Sequence, residues 1–234
     1  MTRKAHGICP RGTVRVLERK GSALYLEHHG PDLYNLLKQK KGILCPFLLA
    51  RCILETLQAL HQAGIFHGDV KPTNVCERGA EFPNGWKYVL IDFGLSVDDL
   101  GKFPLSHKSF SGYPYRPCFY HPSTEVWIAS LRTQISELAA REIESRCAPQ
   151  EFRLDEELLC RPETQGYCDL YAAAVTVLYV MSYLLLENGE ESLTPRERSL
   201  VHLCIEVMTP RASASDFPTC AYFLARLAKI ETSG

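Results

Sequence analysis

The chain has 234 residues, which is enough for one domain with a substantial core. Its 26 Lys and Arg residues nearly balance its 27 Asp and Glu residues, so the charge gives no sign of a nucleic-acid binder or a membrane-surface protein. Ten cysteines without a C-x-x-C pair argue against a disulfide framework or a zinc site. We therefore expect reduced thiols in an intracellular protein of the cytoplasm or nucleus.

The longest apolar run, Leu170 to Leu186, is at the short edge of the length that a membrane span needs. Asp169 precedes it and the acidic "ENGEE" follows it, without the basic flank and aromatic belts of a membrane helix. The N-terminus has no apolar stretch of the kind found in secretory signals. These features favour a buried core helix, and they predict no contact with a membrane.

The first part of the chain predicts a hairpin followed by two helices and a strand. Residues 13–30 alternate weakly around a Gly-Ser pair, which is typical of two short strands. A Pro-Asp pair begins a helix expected over 31–42. A stronger helix is expected over 46–64, because apolar residues recur there at helical spacing and a glycine ends it. After a loop, "KYVLI" predicts a short strand that leads to Asp92.

The remainder predicts a mainly helical body. Residues 95–122 are rich in Ser, Gly and Pro, and a long irregular segment of this kind usually has a function. We expect one amphipathic helix over 124–146, the apolar helix described above, a helix capped by Thr194 and a last helix that begins at Asp216. The apolar stripe of the amphipathic helix consists of Trp127, Leu131, Ile135 and Leu138. Two early strands and a helical body predict the α+β class.

The stretch "HGDVKPTNV", followed by "IDFG", places an acid, a cation and an amide close together. Phosphoryl transfer needs a carboxylate to orient or deprotonate the attacking hydroxyl, a cation on the transferred phosphate, and oxygen ligands for magnesium. Asp69, Lys71 and Asn74 form the pattern D-x-K-x-x-N, and Asp92 opens D-F-G. The spacing indicates a phosphotransferase.

These two motifs resemble the catalytic loop and the metal-binding turn of the eukaryotic-type protein kinases. The resemblance implies that Asp69 is the catalytic base, that Lys71 acts on the phosphate, and that Asn74 and Asp92 bind Mg²⁺ with ATP. It implies transfer to a serine or threonine hydroxyl of a protein substrate. The same motifs contain three residues with a structural role: His67, Phe93 and Gly94.

Other segments are similar to the same family, in the expected order, over residues 13–230. "LYLEHHGPDLYNLL" resembles the fifth strand, the hinge that meets the adenine of ATP, and the following helix. The hinge residues are Glu27, His28 and His29, and we expect the two histidines to be solvated and to bind no metal. "CDLYAAAVTVLYVM" is similar to the central helix, which would open with Asp169, and "VMTPRASASDF" to the turn that carries Arg211. The last two residues would be architectural.

The resemblance divides the chain near residue 30. Residues 1–30 would be a remnant of the upper lobe with its hinge, and residues 31–234 a helical lower lobe with an insertion at about 123–165. About 25 residues precede the hinge, enough for two strands and too few for a five-stranded lobe with its helix. Neither a G-x-G-x-x-G loop nor a V-A-I-K strand is present to hold the phosphates.

Two further departures concern activation. Gly68 stands where many kinases have an arginine that pairs with a phosphorylated activation segment, so we do not expect activation through that pairing. "YRPCFYHPSTEV" replaces the usual A-P-E motif, which leaves Glu125 as a candidate partner for Arg211. Gly68, the Tyr-His-Pro sequence and the insertion are similar to features of kinases encoded by herpesviruses and other large DNA viruses.

Three interpretations of the sequence remain open. The chain is an active serine/threonine kinase or part of one, or a pseudokinase that mimics a lower lobe and binds a partner kinase or its substrate. The third is a small-molecule kinase of related fold, since aminoglycoside and choline kinases share H-x-D-x-x-x-x-N. Lys71, Phe93 and the helix at Asp169 favour the protein kinases over this third class.

Overall fold

A computed structural model of the chain describes residues 1–20, 23–39, 45–78, 86–98, 113–147, 160–188, 193–209 and 216–233. In chain order the elements are α1 (Thr2–Ile8), β1 (Val16–Lys20), β2 (Ala23–Leu26), α2 (Leu33–Lys38), α3 (Pro46–Gln62), β3 (Val75–Glu77), β4 (Tyr88–Leu90), α4 (Thr124–Leu131), α5 (Glu137–Ser145), α6 (Pro162–Asn188), α7 (Pro195–Met208) and α8 (Cys220–Thr232). Within these ranges the strands form two small antiparallel sheets, β1–β2 and β3–β4.

The N-terminal residues contribute more structure than the sequence predicted. The predicted hairpin is present, with Val16 opposite Leu26 and an irregularity in the first strand. Helix α1 was not expected, and neither was strand β3. The segment after α1 also joins the second sheet, because the Leu90 N–H donates to the Gly12 carbonyl (2.8 Å) and the Val14 N–H to the Leu90 carbonyl (3.3 Å). The start of the chain is thus attached to the strand that precedes Asp92.

Helices α2 and α3 begin as predicted. The Asp32 carboxylate accepts a hydrogen bond from the Asn35 N–H at 2.9 Å and caps α2. This helix ends at Lys38, earlier than the predicted residue 42, and residues 40–44 lie outside the described part of the chain. Helix α3 has Pro46 in its first turn, and the chain turns away from it at Gly64, whose φ of +70° favours glycine.

Helix α6 is the centre of the molecule. It is apolar on all sides, and a helix of this kind is stable only when its whole surface is covered. Helices α3 and α7 pack against it, and 83% of its most apolar 18-residue window is buried, as expected for a core helix. Among the described residues it is also the one helix long and apolar enough to cross a membrane. Its start differs from the prediction: the helix begins at Pro162, so Asp169 lies inside it and does not open it.

The predicted amphipathic helix over 124–146 is two helices, α4 and α5. Ser136 separates them, because its side chain caps α5 while its backbone N–H donates to Ser182 Oγ on α6 at 2.7 Å. The break changes the helical phase, so Leu138 is 52% exposed and does not belong to the predicted apolar stripe. The other three residues of that stripe are buried: Trp127, Leu131 and Ile135.

The C-terminal helices complete the core. Helix α7 begins as predicted at Thr194, which forms a reciprocal capping box with Glu197. Helix α8 begins at Cys220 with Thr219 as its cap, four residues later than the predicted start at Asp216. Helix α3 packs against α8, and α7 packs against both α6 and α8. These contacts fix the end of α3, and the end of α3 leads directly into the candidate site.

Candidate active site

The loop after α3 is held in place by backbone pairing. Phe66 and Val97 exchange two hydrogen bonds, at 2.9 and 3.0 Å, which join the start of this loop to the segment after Asp92. A short 3-10 turn at Pro72–Asn74 then leads into β3, and the Ile91 N–H donates to the Asn74 carbonyl at 3.0 Å. The two motifs are therefore neighbours in space.

Two of the predicted site residues, Lys71 and Asn74, meet at the carboxylate of a third, Asp69. Lys71 Nζ donates to Asp69 Oδ2 at 2.7 Å, and Asn74 Nδ2 donates to the same oxygen at 2.9 Å and to the Asp69 carbonyl at 2.8 Å. Asp69 is only 8% exposed, whereas the Lys71 side chain is 30% exposed. The loop thus holds the carboxylate in one orientation and keeps a positive charge beside it.

The amide of Asn74 and the carboxylate of Asp92 fit a magnesium site by their chemistry. Both hydrogen bonds of Asn74 use its nitrogen, so its side-chain oxygen remains available as a ligand. Asp92 is exposed, and its left-handed backbone (φ 60°) turns its carboxylate so that Oδ1 accepts the Gly94 N–H at 3.2 Å. Amide and carboxylate oxygens suit Mg²⁺, which takes one or two protein ligands and completes its shell with phosphate oxygens and water.

His67 and Phe93 are buried beneath the loop that carries Asp69 and support it by packing together. The imidazole is fully buried against the Phe93 ring, with ring centroids 4.7 Å apart. Its Nε2 lies 3.1 Å from the Ile91 carbonyl, and its Nδ1 accepts the Asp69 N–H at 3.3 Å, a pair of bonds that requires the neutral ring. Burial lowers the pKa of His67, against the opposing effect of the nearby carboxylates. The ring is thus a fixed support for the loop.

Asp169 fixes the loop through hydrogen bonds to its backbone. Its carboxylate accepts the backbone N–H groups of His67 (2.7 Å) and Gly68 (2.8 Å), and His61 Nε2 lies 3.0 Å from it. Burial by itself would raise the pKa of Asp169, but the hydrogen bond and charge of His61 and the hydrogen bond from the Gly68 amide hold it below its ordinary value. The sequence pointed to Asp169 but gave no sign of His61.

Gly68 occupies a position that only glycine fits. Its φ is +77°, and a Cβ there would lie 2.7 Å from the Leu95 carbonyl oxygen. The buried Arg116 donates to the Gly68 carbonyl, and its guanidinium also lies 5.4 Å from the centre of the Tyr120 ring. The sequence predicted that position 68 offers no arginine beside Asp69; in the structure Arg116, 48 residues further along the chain, contacts the Gly68 carbonyl.

Tyr113 is a second residue that the sequence did not indicate. Its hydroxyl donates to Asp69 Oδ1 at 2.9 Å, the carboxylate oxygen that neither Lys71 nor Asn74 uses. Burial, followed by the negative charge of Asp69, raises the pKa of Tyr113 and keeps the phenol protonated as a donor. No local pattern identifies Tyr113 or Arg116, because both meet the loop only through tertiary contacts.

The predicted hinge is tied to the same region. The Glu27 N–H donates to the Arg15 carbonyl at 2.9 Å, and the Gly30 N–H donates to the Glu77 carbonyl of β3 at 2.8 Å. His28 is exposed as expected, but the His29 side chain is only 3% exposed and lies 3.8 Å from Glu27. The expectation that both histidines are solvated was therefore wrong for His29. Burial also lowers the pKa of His29, which favours the neutral ring.

One predicted site residue, Arg211, lies outside the described residues. Its proposed partner Glu125 is exposed in the first turn of α4. Within the described part of the chain no group of three or more His, Cys, Asp or Glu side chains forms a metal cluster. All ten cysteines are free thiols.

Comparison with known proteins supports the fold. No family model and no curated protein matches the sequence. Solved structures do match, among them one described as the crystal structure of the Rad53 kinase domain and SCD2, with a TM-score of 0.56 and 15% sequence identity. The match covers 99% of this chain and 76% of that chain. The chain thus has a protein-kinase-like fold. Its described residues are mostly helical and form two small antiparallel sheets, which is compatible with the α+β class and a reduced upper lobe.

Proposed function

We propose that the chain is a protein-kinase-like phosphotransferase that moves a phosphoryl group from ATP to a serine or threonine hydroxyl of a protein. The observation that carries this proposal is the meeting of Lys71 and Asn74 at the buried carboxylate of Asp69. A carboxylate held in one orientation beside a cation and an amide is what acceptance of a proton from an attacking hydroxyl requires.

Each residue has a proposed role. Asp69 orients the acceptor hydroxyl and takes its proton, and Lys71 places positive charge beside the reacting groups. Asn74 and Asp92 would hold Mg²⁺, which neutralises charge on the phosphates of bound ATP. Asp169 and His67 keep the loop in place. The hinge at Glu27–His29 is the proposed contact for adenine, since Gly30 ties the end of the hinge to the strand that follows Asn74.

The finer parts of the proposal rest on the sequence. Gly68 and the Tyr120-His121-Pro122 sequence support a relation to kinases of large DNA viruses. We propose action inside the cell, in the cytoplasm or nucleus, because the sequence has ten cysteines without a C-x-x-C pair. The proposed partners are a protein substrate or a partner kinase, without nucleic acid or membrane. Residues 1–30 and 31–234 remain the proposed division into an upper remnant and a lower lobe, with the insertion at about 123–165.

A second candidate function is that of a catalytically impaired domain that binds a partner kinase or its substrate. The β1–β2 hairpin favours it: these are the strands described ahead of the hinge, and Leu17, Tyr25 and Leu26 on them are 56%, 50% and 40% exposed. Such a hairpin holds no phosphate by itself. In this case Asp69→Asn and Asp92→Asn would leave partner affinity unchanged, whereas substitutions on exposed faces would weaken it.

The decisive experiment measures transfer of radiolabelled phosphate from ATP to a basic protein with magnesium. The chain is assayed alone and with an upper kinase lobe supplied in trans. We expect low turnover from the chain alone, and a loss of at least about a hundredfold in each of Asp69→Asn and Asp92→Asn. Asp98→Asn is the matched control, because this carboxylate follows Asp92 closely but pairs with Lys4 at the surface. Activity that survives Asp69→Asn would contradict the proposed mechanism.

A further inference from the structure

The carboxylate of Asp69 already accepts a hydrogen bond from a hydroxyl of the chain itself, that of Tyr113. Its Oδ2 accepts hydrogen bonds from Lys71 and Asn74, and its Oδ1 accepts one from the Tyr113 hydroxyl at 2.9 Å. Of these three donors, only Tyr113 comes from outside the catalytic loop. Because Asp69 is 8% exposed, little of its carboxylate is left uncovered for another group.

Tyr113 is held in this position by the residues that follow it. Two residues further on, the Tyr115 hydroxyl donates to Gln134 Oε1 at 2.9 Å, and Arg116 donates to the Gly68 carbonyl next to Asp69. The Tyr113 and Tyr115 rings also pack together, with centroids 5.6 Å apart. The contact between Tyr113 and Asp69 is thus part of a docked segment, and it does not depend on one flexible side chain.

The hydrogen bond from Tyr113 to Asp69 is of the same kind as the one expected from the hydroxyl of a phosphoryl acceptor. In the proposed reaction the acceptor hydroxyl donates its proton toward the Asp69 carboxylate. Tyr113 is itself a hydroxyl that donates to this carboxylate, on the oxygen that the loop does not use. Because Asp69 is only 8% exposed, an incoming hydroxyl must compete with the phenol for that oxygen.

We propose that Tyr113 is an internal occupant of the acceptor position, and that a protein hydroxyl reaches Asp69 only after the Tyr113 hydroxyl has left. The inference rests on the proposed function, because it gives Asp69 the role of accepting a substrate proton. It makes Tyr113 a residue that determines access: an acceptor must bind strongly enough to displace the phenol, and weakly bound hydroxyls are excluded.

The test uses Tyr113→Phe, which keeps the ring and removes the donor. Tyr222→Phe is its matched control, because the Tyr222 hydroxyl also donates to a carboxylate, that of Glu206, away from the candidate site. The probes are a short Lys- and Arg-rich peptide with one serine and the same peptide with alanine in its place. Titration without nucleotide should show the serine peptide binding about fivefold more tightly to Tyr113→Phe than to the unchanged chain, because the competing hydrogen bond is lost. The alanine peptide should bind Tyr113→Phe as it binds the unchanged chain, and both peptides should bind Tyr222→Phe as they bind the unchanged chain.

Phosphate transfer provides the second measurement. With the upper lobe in trans, Tyr113→Phe should lower KM for the serine peptide by about fivefold and leave kcat within about twofold. A lower kcat would overturn the inference, since Tyr113 would then position Asp69. Radiolabel on Tyr113 would overturn it as well, because the phenol would then be an acceptor. Equal affinity of Tyr113→Phe and the unchanged chain for the serine peptide overturns it whether or not phosphate is transferred, whereas absence of transfer in every variant refutes only the proposed function.

Discussion

The loop at residues 67–75, which contains Asp69, and the β1–β2 hairpin are built in opposite ways. The loop is buried and held by side chains from distant parts of the chain, including Asp169 on α6 and Arg116 after the DFG segment. The hairpin is held mainly by its own strand pairing, and its apolar side chains Leu17 and Tyr25 are at least half exposed. The geometry of the loop is therefore set by the tertiary packing around it, whereas the hairpin depends on its own two strands.

This difference has an energetic origin. A buried polar group costs free energy when its hydrogen bonds are missing, so each partner in the loop stabilises the position of the others. An exposed strand pair gains little from burial, and a two-stranded hairpin is marginally stable in water. We therefore expect large effects from substitutions around the loop and small effects from those in the hairpin.

The largest effect is expected at Asp169. Replacing it with alanine would leave the buried N–H groups of His67 and Gly68 without their acceptor, which should lower the free energy of unfolding by about 3–5 kcal/mol. Urea unfolding followed by circular dichroism measures the change. Asp169→Asn keeps one acceptor oxygen and should cost less than the alanine variant. A cost below about 1 kcal/mol for Asp169→Ala would show that the hydrogen bonds to Asp169 do not stabilise the loop more than strand pairing stabilises the hairpin.

Two glycines with a left-handed backbone allow the cost of backbone strain to be measured separately from the cost of a steric clash. Gly64 has φ of +70° and open space where a Cβ would lie, whereas Gly68 has φ of +77° and the Leu95 carbonyl in the way. Gly64→Ala should cost about 1 kcal/mol from backbone strain alone. Gly68→Ala should cost about 2–3 kcal/mol, because the loop must also move. Equal costs in thermal or urea unfolding would show that the loop is less tightly packed than its geometry indicates.

The next effect depends on pH. Because burial lowers the pKa of His67 in the folded state, the unfolded chain binds more protons below its ordinary pKa of about 6.5. The stabilisation is therefore present above that pH and is lost as the pH falls, by up to about 1.4 kcal/mol per pH unit. Urea unfolding at pH 7.5 and 5.5 should show a smaller loss in His67→Gln than in the unchanged chain. An identical loss in both would mean that other groups carry the pH dependence.

The smallest effect is expected in the hairpin. Leu17→Ser should change the free energy of unfolding by no more than about 0.5 kcal/mol, because the side chain is 56% exposed. Leu57→Ala, at a fully buried position on α3, is the contrasting variant and should cost about 2–5 kcal/mol. If Leu17→Ser costs more than about 1.5 kcal/mol in urea unfolding, the hairpin is packed and the contrast with the loop fails.

The elements that the sequence predicted well are those with a local cause. The hairpin follows from alternation around a turn, α3 from apolar spacing between Pro46 and Gly64, and the start of α7 from the cap at Thr194. The break between α4 and α5 was missed, because Ser136 is held by Ser182 on another helix. Strand β3 was missed since three residues contain too little periodicity to detect.

For the site, the sequence by itself determined that two acids, a cation and an amide are present within two short motifs, at the spacing that phosphoryl transfer would require. Only the tertiary structure decided how the carboxylate of Asp69 is used. The hydroxyl of Tyr113, the guanidinium of Arg116 and the imidazole of His61 reach the loop or its anchor Asp169 across 44, 48 and 108 residues of chain. Contacts at such separations depend on how helices pack, and no local pattern records them.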